Sequence, residues 1–295
     1  RNPELLLWQH SGESKVTLNF VLAEEDGNLS GLLGFIPLRR FDPNLLSNDV
    51  GLALWKTASS AKPGTGVRLL KFLIERENPT RVNAIGLSQM VMPIYRSLGF
   101  EVGELFHGAI LNEKTHSRTF LGDAVRSMPG SKSAARLTLM SESFDRHCQS
   151  KFLRIDMSRN LEKSILYINQ RFESHPWYSY LFLFFETEEG ASLMLTCRIV
   201  DVTVARILKV VDVLGDVKII EQISSPMQSV LEATNCTYAD FLFAGPLCPQ
   251  SEVPGFAIPS TIGRDGLPTK FEPLDRSGGP VHYATSVLGS GTLIS

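Results

Sequence analysis

Apolar residues alternate with other positions from Val16 through Leu18, Phe20 and Leu22, the period-two signature of a strand with one covered face. The acidic run EEDGN (Glu24 to Asn28) supplies a turn and LSGLLGFIPL a second arm, so the spacing predicts a hairpin. DVGLALWK (Asp49 to Lys56) reads as a third strand. The period then changes: Val67, Leu70, Leu73 and Ile74 fall three and four apart, which puts one apolar face on a helix behind the stretch AKPGTG. RVNAIGL (Arg81 to Leu87) returns to strand. SQMVMPIYRSL reads as a second helix, with Pro93 tolerated only near its first turn and Gly99 where a helix end favours a left-handed residue. From Phe100, FEVGELFHGAIL is strand again.

The second half repeats that order with little sequence similarity. YSYLFLFFETEEGASLMLTCRIV gives strand, acidic glycine turn, strand; VARILKVVDVLG follows as strand, DVKIIEQISSPMQSVLEATN as helix and TYADFLFAG as strand. PGFAIP (Pro254 to Pro259) echoes LGFEVG, and PVHYATSV (Pro280 to Val287) is expected to close the second half. Any α+β chain alternates strands and helices. The shared placement of the two hairpin turns and the two Gly-Phe pairs favours a tandem repeat: an α+β (mixed α/β) chain, each half a mixed, mostly antiparallel sheet flanked by helices. The expected domains are 1–112 and 146–295, joined by a linker over 113–145 whose first part is polar with Gly, Pro and Ser.

Composition narrows the function classes. The chain has 295 residues, 43% hydrophobic and 20% charged, enough for two cores. Twenty-nine Lys and Arg against 31 Asp and Glu leave a net charge of −2 with no long run of either sign, so no nucleic-acid footprint is expected and any anion site must be local. Cys148, Cys197, Cys236 and Cys248 are far apart and form no Cys-x-x-Cys, which argues against a zinc knuckle or a disulfide framework and for a cytoplasmic protein without a metal. The most apolar stretch, Tyr178 to Phe185, is much too short to span a bilayer, so no membrane partner is expected. The numbering opens at Arg1 without a methionine, which leaves room for a preceding piece.

The candidate chemistry starts at Lys62, Pro63, Gly64, Thr65 and Gly66, between a strand and a helix beginning at Val67. A helix start leaves four backbone N–H groups unsatisfied and adds about half a positive charge, which suits phosphate. Lys62 and Arg68 add charge at the rim. A nucleoside-triphosphate loop requires Lys-Ser/Thr after the second glycine, and a dinucleotide loop requires a third glycine where Leu69 stands; both fail. A plain turn and a coenzyme A pyrophosphate cradle remain open.

MPIYRSLGF (Met92 to Phe100) follows that loop by one strand. Together with PGTGVRLL it resembles the GNAT superfamily of acyl-CoA N-acyltransferases, over about residues 14 to 112, in motifs and in element order. The resemblance implies an acyl-CoA co-substrate whose pyrophosphate lies on Lys62, Gly64, Thr65, Gly66, Val67 and Arg68, and whose pantetheine arm bonds Leu52, Ala53 and Leu54 between splayed central strands. Ser88 stands where the family often has Asn, which weakens one cofactor contact. Tyr95 matches the family's acid for the departing thiolate; a phenol at pKa ~10 against a thiol at ~8.5 makes that transfer uphill by roughly 2 kcal/mol. The alternative for Tyr95 is a core aromatic beside Val91 and Leu98. For the base, His107, with an unperturbed pKa of ~6.5, competes with Asp49, with a water chain and with a purely structural role.

In the second half only Gly215 remains of the loop, and Asp216 near the helix start repels pyrophosphate, so this half is expected to wall the acceptor pocket. RFESHPWYSY, ARIL, TYADF, PGF and KFEPL, with Trp8, GLLGFIP, Trp55 and His107, resemble bacterial two-domain GNAT N-acyltransferases of nucleotide-linked amino-dideoxy sugars for surface polysaccharides. By that resemblance Arg206, Tyr238, Asp240 and Glu272 line the acceptor side; the alternative is structural, with Arg206 paired to Asp240. Gly108 and Ala109 stand where aromatic residues are expected, and Leu274 replaces a second Phe, so the acceptor is open to revision. A peptide or aminoacyl acceptor and a non-catalytic acyl-CoA-binding or scaffold protein are the rival readings. The acyl group and the oligomeric state are left open.

Overall fold

The computed structural model describes residues 3–12, 17–114, 125–127, 135–156, 163–202, 205–243, 256–259, 270–271, 274–275 and 281–286. In chain order it begins with α1 (Pro3–His10), β1 (Phe20–Glu25) and β2 (Asn28–Pro37). The turn between these strands sets Asp26 at φ 53° and Gly27 at φ 77°, the doubly left-handed bend that matches the twist of a tight hairpin. Next come β3 (Asp49–Thr57), α2 (Thr65–Glu77), β4 (Arg81–Leu87), α3 (Met92–Ser97) and β5 (Glu101–Glu104). α2 buries Leu69, Leu70 and Leu73 and stops at Asn78, whose left-handed backbone turns its N–H back to the Ile74 carbonyl.

β6 (Phe106–Leu111), β7 (Val125–Ser127), β8 (Ala135–Ser141), α4 (Arg146–Phe152) and α5 (Ile165–Ile168) follow. α4 is capped by Asp145, which accepts from the His147 and Cys148 N–H groups. Then come β9 (Leu181–Thr187), β10 (Ser192–Val202), β11 (Ala205–Gly215), a 3₁₀ turn at Val217–Gln222, α6 (Ser224–Thr234), β12 (Tyr238–Phe243), β13 (Ala257–Pro259), the short strands β14 (Lys270–Phe271) and β15 (Leu274–Asp275), and β16 (His282–Thr285).

The chain forms two compact units, one running to Gly103 and regaining the chain at His282, the other running from Glu104 to Val281. The first holds a six-stranded sheet in the order β1-β2-β3-β4-β16-β5, and the second an eight-stranded sheet in the order β7-β13-β6-β12-β11-β10-β9-β8. Each sheet is mixed and carries the same motif: three antiparallel strands, a helix, then a strand parallel to the third, β3 with β4 and β11 with β12. This is the repeated α+β architecture read from the pattern.

The closing strands differ from expectation. The stretch from Phe100 is broken at Leu105: β5 stays in the first sheet, and β6 lies between β13 and β12 in the second. β16, expected to close the second half, pairs antiparallel with β4 in the first sheet. Both strands are covered on their two faces: β16 is buried at all four positions, and Ala109 and Ile110 of β6 are fully buried. Such a strand suits a central place in either sheet, so its own pattern does not choose one. Ala135–Ser141, expected within a linker, is an edge strand, and the expected single helix after Gly215 is divided at Ile223.

In the first unit α2 packs Leu69, Leu70 and Leu73 against Leu33, Val50, Val82 and Tyr95. In the second, α6 sets Met227, Val230 and Leu231 against Leu183, Phe185, Leu208 and Phe241. The other face of β9 is covered by Phe144, whose ring lies 5.1 Å from Phe182. Cover on both faces explains why YSYLFLFF lacks alternation. Among the described residues no helix is long and apolar enough to cross a membrane.

Candidate active site

The glycine loop is built from two glycines with different physical duties. Gly64, at φ 83°, is the left-handed residue from which α2 starts; its carbonyl accepts the Arg68 N–H at 3.0 Å, and Thr65 closes the preceding turn by donating to the Lys62 carbonyl at 3.1 Å. Gly66 has no side chain because a Cβ there would stand 3.0 Å from the indole nitrogen of Trp55. No side chain caps this helix, and the Gly66 and Val67 N–H groups meet no acceptor among the described residues. The helix therefore begins with bare donors and the positive end of its dipole, an arrangement suited to an oxyanion.

Beside the loop the two central strands part. β3 and β4 pair only from Asp49 with Arg81 to Leu52 with Ala84, although β3 continues to Thr57 and β4 to Leu87. Leu52 is the last residue of that ladder. Leu54 and Trp55 lie beyond it, paired to β2 but not to β4, and Ala53 is the extra residue of a β-bulge between Leu52 and Leu54, itself exposed with half-buried neighbours. Gly86, at φ 78°, turns β4 out of regular strand geometry on the far side of the gap.

Tyr95 is buried, 1% exposed, with its ring edge-on to Trp55 at 5.4 Å and to Phe100 at 5.1 Å. Burial pushes its phenol well above the ordinary tyrosine value. The group is thus protonated and able to donate, but it gives up its proton less readily than the unperturbed phenol of the sequence argument. Trp55 touches both the glycine helix and Tyr95, a linking role that its place at the end of a strand did not disclose.

The rim is less cationic than two basic residues imply. Arg68, 60% exposed, lies 3.4 Å from the carboxylate of Glu25, and its guanidinium also donates to Thr65 Oγ1 at 2.6 Å and to the Pro63 carbonyl at 3.3 Å. Glu25 accepts in addition from the Lys62 N–H at 3.2 Å and from the Thr65 hydroxyl at 3.0 Å. Burial pushes the Glu25 carboxyl up, but these donors and the two cations outweigh it and hold the group below its usual range.

In the second unit His107 and Asp240 meet. His107 Nε2 lies 2.8 Å from Asp240 Oδ1, and Lys209 Nζ donates to Asp240 Oδ2 at 2.7 Å. Asp240 is 1% exposed; burial raises its pKa, but Lys209 and the His107 hydrogen bond prevail and hold it below the usual value. Asp240 is therefore fully engaged by its two neighbours, and Lys209 is a member of the cluster that the sequence reading missed. Arg206 pairs with Asp201 at 3.5 Å rather than with Asp240. Alternation gives the reason: Arg206 lies three positions from Lys209 on β11 and so faces the other side of the sheet. Tyr238 is fully buried among Ala109, Val200 and Ile207. Asp49 is buried at the start of β3, and Glu272 lies outside the described residues. Tyr95 belongs to the first unit and His107 to the second. Asp216 caps the 3₁₀ turn after β11 by accepting from the Lys218 N–H at 3.1 Å.

No protein-family model matches the chain, and the comparison with curated proteins finds no match. Among solved structures the chain is similar to a GCN5-related N-acetyltransferase from Anabaena variabilis at 9% identity and a TM-score of 0.47, covering 91% of this chain and 62% of that one. It is similar to a GCN5-related N-acetyltransferase from Kribbella flavida at 11% identity and a TM-score of 0.45, covering 90% and 59%. A tandem GNAT protein from the clavulanic acid biosynthesis pathway gives 9% identity and a TM-score of 0.42, covering 92% and 85%. The chain thus spans about three fifths of the length of the first two of these structures.

Proposed function

We propose that the protein is an N-acyltransferase whose first unit binds an acyl-CoA and passes the acyl group to an amine. The observation that carries this reading is the coincidence of a glycine loop with bare first-turn N–H groups and a parallel strand pair that opens beside it at Leu52 and Ala84. The loop suits a diphosphate. The strand edge that passes out of pairing after Leu52 suits the amides of a pantetheine arm, and Leu52, Ala53 and Leu54 are the residues we assign to bond it.

In the reaction the amine nitrogen attacks the thioester carbonyl carbon, a C–N bond forms and the C–S bond breaks. Tyr95 hands its proton to the departing thiolate, and the proton lost by the amine goes to a base. The base we assign is a water chain within the first unit, since His107, whose Nε2 is held by Asp240, belongs to the second. The acceptor we propose is the amine of a nucleotide-linked amino-dideoxy sugar, on the short motifs that the second half shares with such enzymes.

Calorimetric titration with coenzyme A tests the site. Binding is expected in the wild type and is expected to vanish in the Gly64→Asp/Gly66→Asp double variant; unaltered binding refutes the loop. With acetyl-CoA and a panel of amino sugar nucleotides, amino acids and peptides as acceptors, Tyr95→Phe is expected to lower kcat far more than it raises KM. A fully active Tyr95→Phe removes the acid assignment.

A further inference from the structure

Glu25 ends β1 at the tip of the first hairpin, and its carboxylate is turned into the glycine loop rather than into water: the side chain is 18% exposed, against 60% for Arg68. Its oxygens take the Lys62 N–H at 3.2 Å, the Thr65 hydroxyl at 3.0 Å and the Arg68 guanidinium at 3.4 Å. All three donors belong to residues that an incoming diphosphate calls on. With the acid in place the charge of the rim, Lys62 and Arg68 against Glu25, falls from +2 to +1.

The geometry points to Glu25 as an internal carboxylate latch on the loop, which an anion must displace or repel in order to bind. This rests on the acyl-CoA reading of the loop. The loop's own bonds favour a latch over a scaffold. The Thr65 hydroxyl has one proton and two acceptors within reach, Glu25 Oε1 at 3.0 Å and the Lys62 carbonyl at 2.8 Å, so it turns to the carbonyl when the carboxylate leaves. Arg68 likewise keeps the Pro63 carbonyl and Thr65 Oγ1. Gly64 keeps its bond to the Arg68 N–H. Each loop bond that sets the backbone survives the departure of Glu25, whereas the Lys62 N–H and the guanidinium are released to the ligand. A fixed negative charge close to two cations also selects for a ligand with more charge than a single carboxylate, because only that ligand gains more than Glu25 already supplies.

Glu25→Gln keeps an oxygen acceptor for the Lys62 N–H and the Thr65 hydroxyl and removes only the charge, so it separates latch from scaffold. In low salt the variant is expected to bind coenzyme A about three- to tenfold more tightly than the wild type, with the gain shrinking as salt rises, and to bind pantetheine, which lacks the diphosphate, no differently. Glu25→Ala is expected to share the direction with a smaller gain. Equal or weaker binding of coenzyme A by Glu25→Gln overturns the latch while leaving the acyl-CoA reading in place. Failure of the wild type and of both variants to bind coenzyme A at all takes down that reading and the latch with it.

Discussion

In the first unit the chain leaves its third strand toward Gly64 and starts a helix whose Gly66 and Val67 N–H groups meet no acceptor among the described residues; in the second it leaves through Gly215 and Asp216, and the acid takes the Lys218 N–H for itself. Both units have a glycine there, for unlike reasons. Gly64 supplies a left-handed cap, whereas Gly215, also at positive φ, is required because a Cβ would lie 2.3 Å from the Ser192 carbonyl. The strands part in both. β11 and β12 pair only over Ile207 to Lys209 with Tyr238 to Asp240, as β3 and β4 pair only to Leu52 and Ala84. At that vertex the first unit is apolar and the second holds an ion pair. The same topology thus carries bare helix donors and an apolar vertex in one unit and a capped helix start with an ion pair in the other, which shows that a glycine before a helix says little until its neighbours are known.

The sharpest way to break this comparison is at the second vertex. Asp240→Asn leaves Lys209 without its counter-charge beside a buried site, and is expected to cost about 3 kcal/mol in denaturant unfolding. A near-neutral change means the pair does not close that vertex. Next in size, Gly64→Ala forces a side chain into a left-handed conformation and is expected to cost about 1–2 kcal/mol and to weaken coenzyme A binding. Asp216→Ala loses a cap and is expected to cost about 1 kcal/mol without creating coenzyme A binding, which calorimetry checks directly.

A last test concerns a likeness. Burial lowers the pKa of His10 in the first unit and, with Arg171 and Arg198, pushes that of His175 in the second down to about 4. His175 also accepts the Trp177 and Tyr178 N–H groups on Nδ1, which requires its neutral form. The unfolded chain, at ~6.5, takes up that proton first, so stability is expected to decline as pH falls from about 6.5 and to level off below about 4. His175→Asn keeps an acceptor near the two N–H groups and is expected to flatten that slope in thermal melts at pH 7 and pH 5.

Much of the fold was legible because its signals are local. The hairpin at Asp26-Gly27, the 3.6-residue period of α2 and the left-handed Gly99 are properties of a few consecutive residues. The left-handed Gly64 before α2 is local in the same way, whereas the burial of Tyr95 was only the alternative to its reading as an acid. The meeting of His107, Lys209 and Asp240 was not legible, since three strands supply them and only the register of β6, β11 and β12 brings them together. Nor was the role of Glu25, which lies in an ordinary acidic turn 37 residues before its Lys62 partner.

Taken alone, the order of apolar and polar residues determined the repeated hairpin, strand, helix and strand of each half, because backbone geometry converts period two and period 3.6 into those elements wherever they occur. Only tertiary structure decided that Phe106–Leu111 joins the second sheet and His282–Thr285 the first, and that Glu25 faces the glycine loop. A strand buried on both faces carries no mark of its partner, and a carboxylate gains its meaning from the donors that folding places around it.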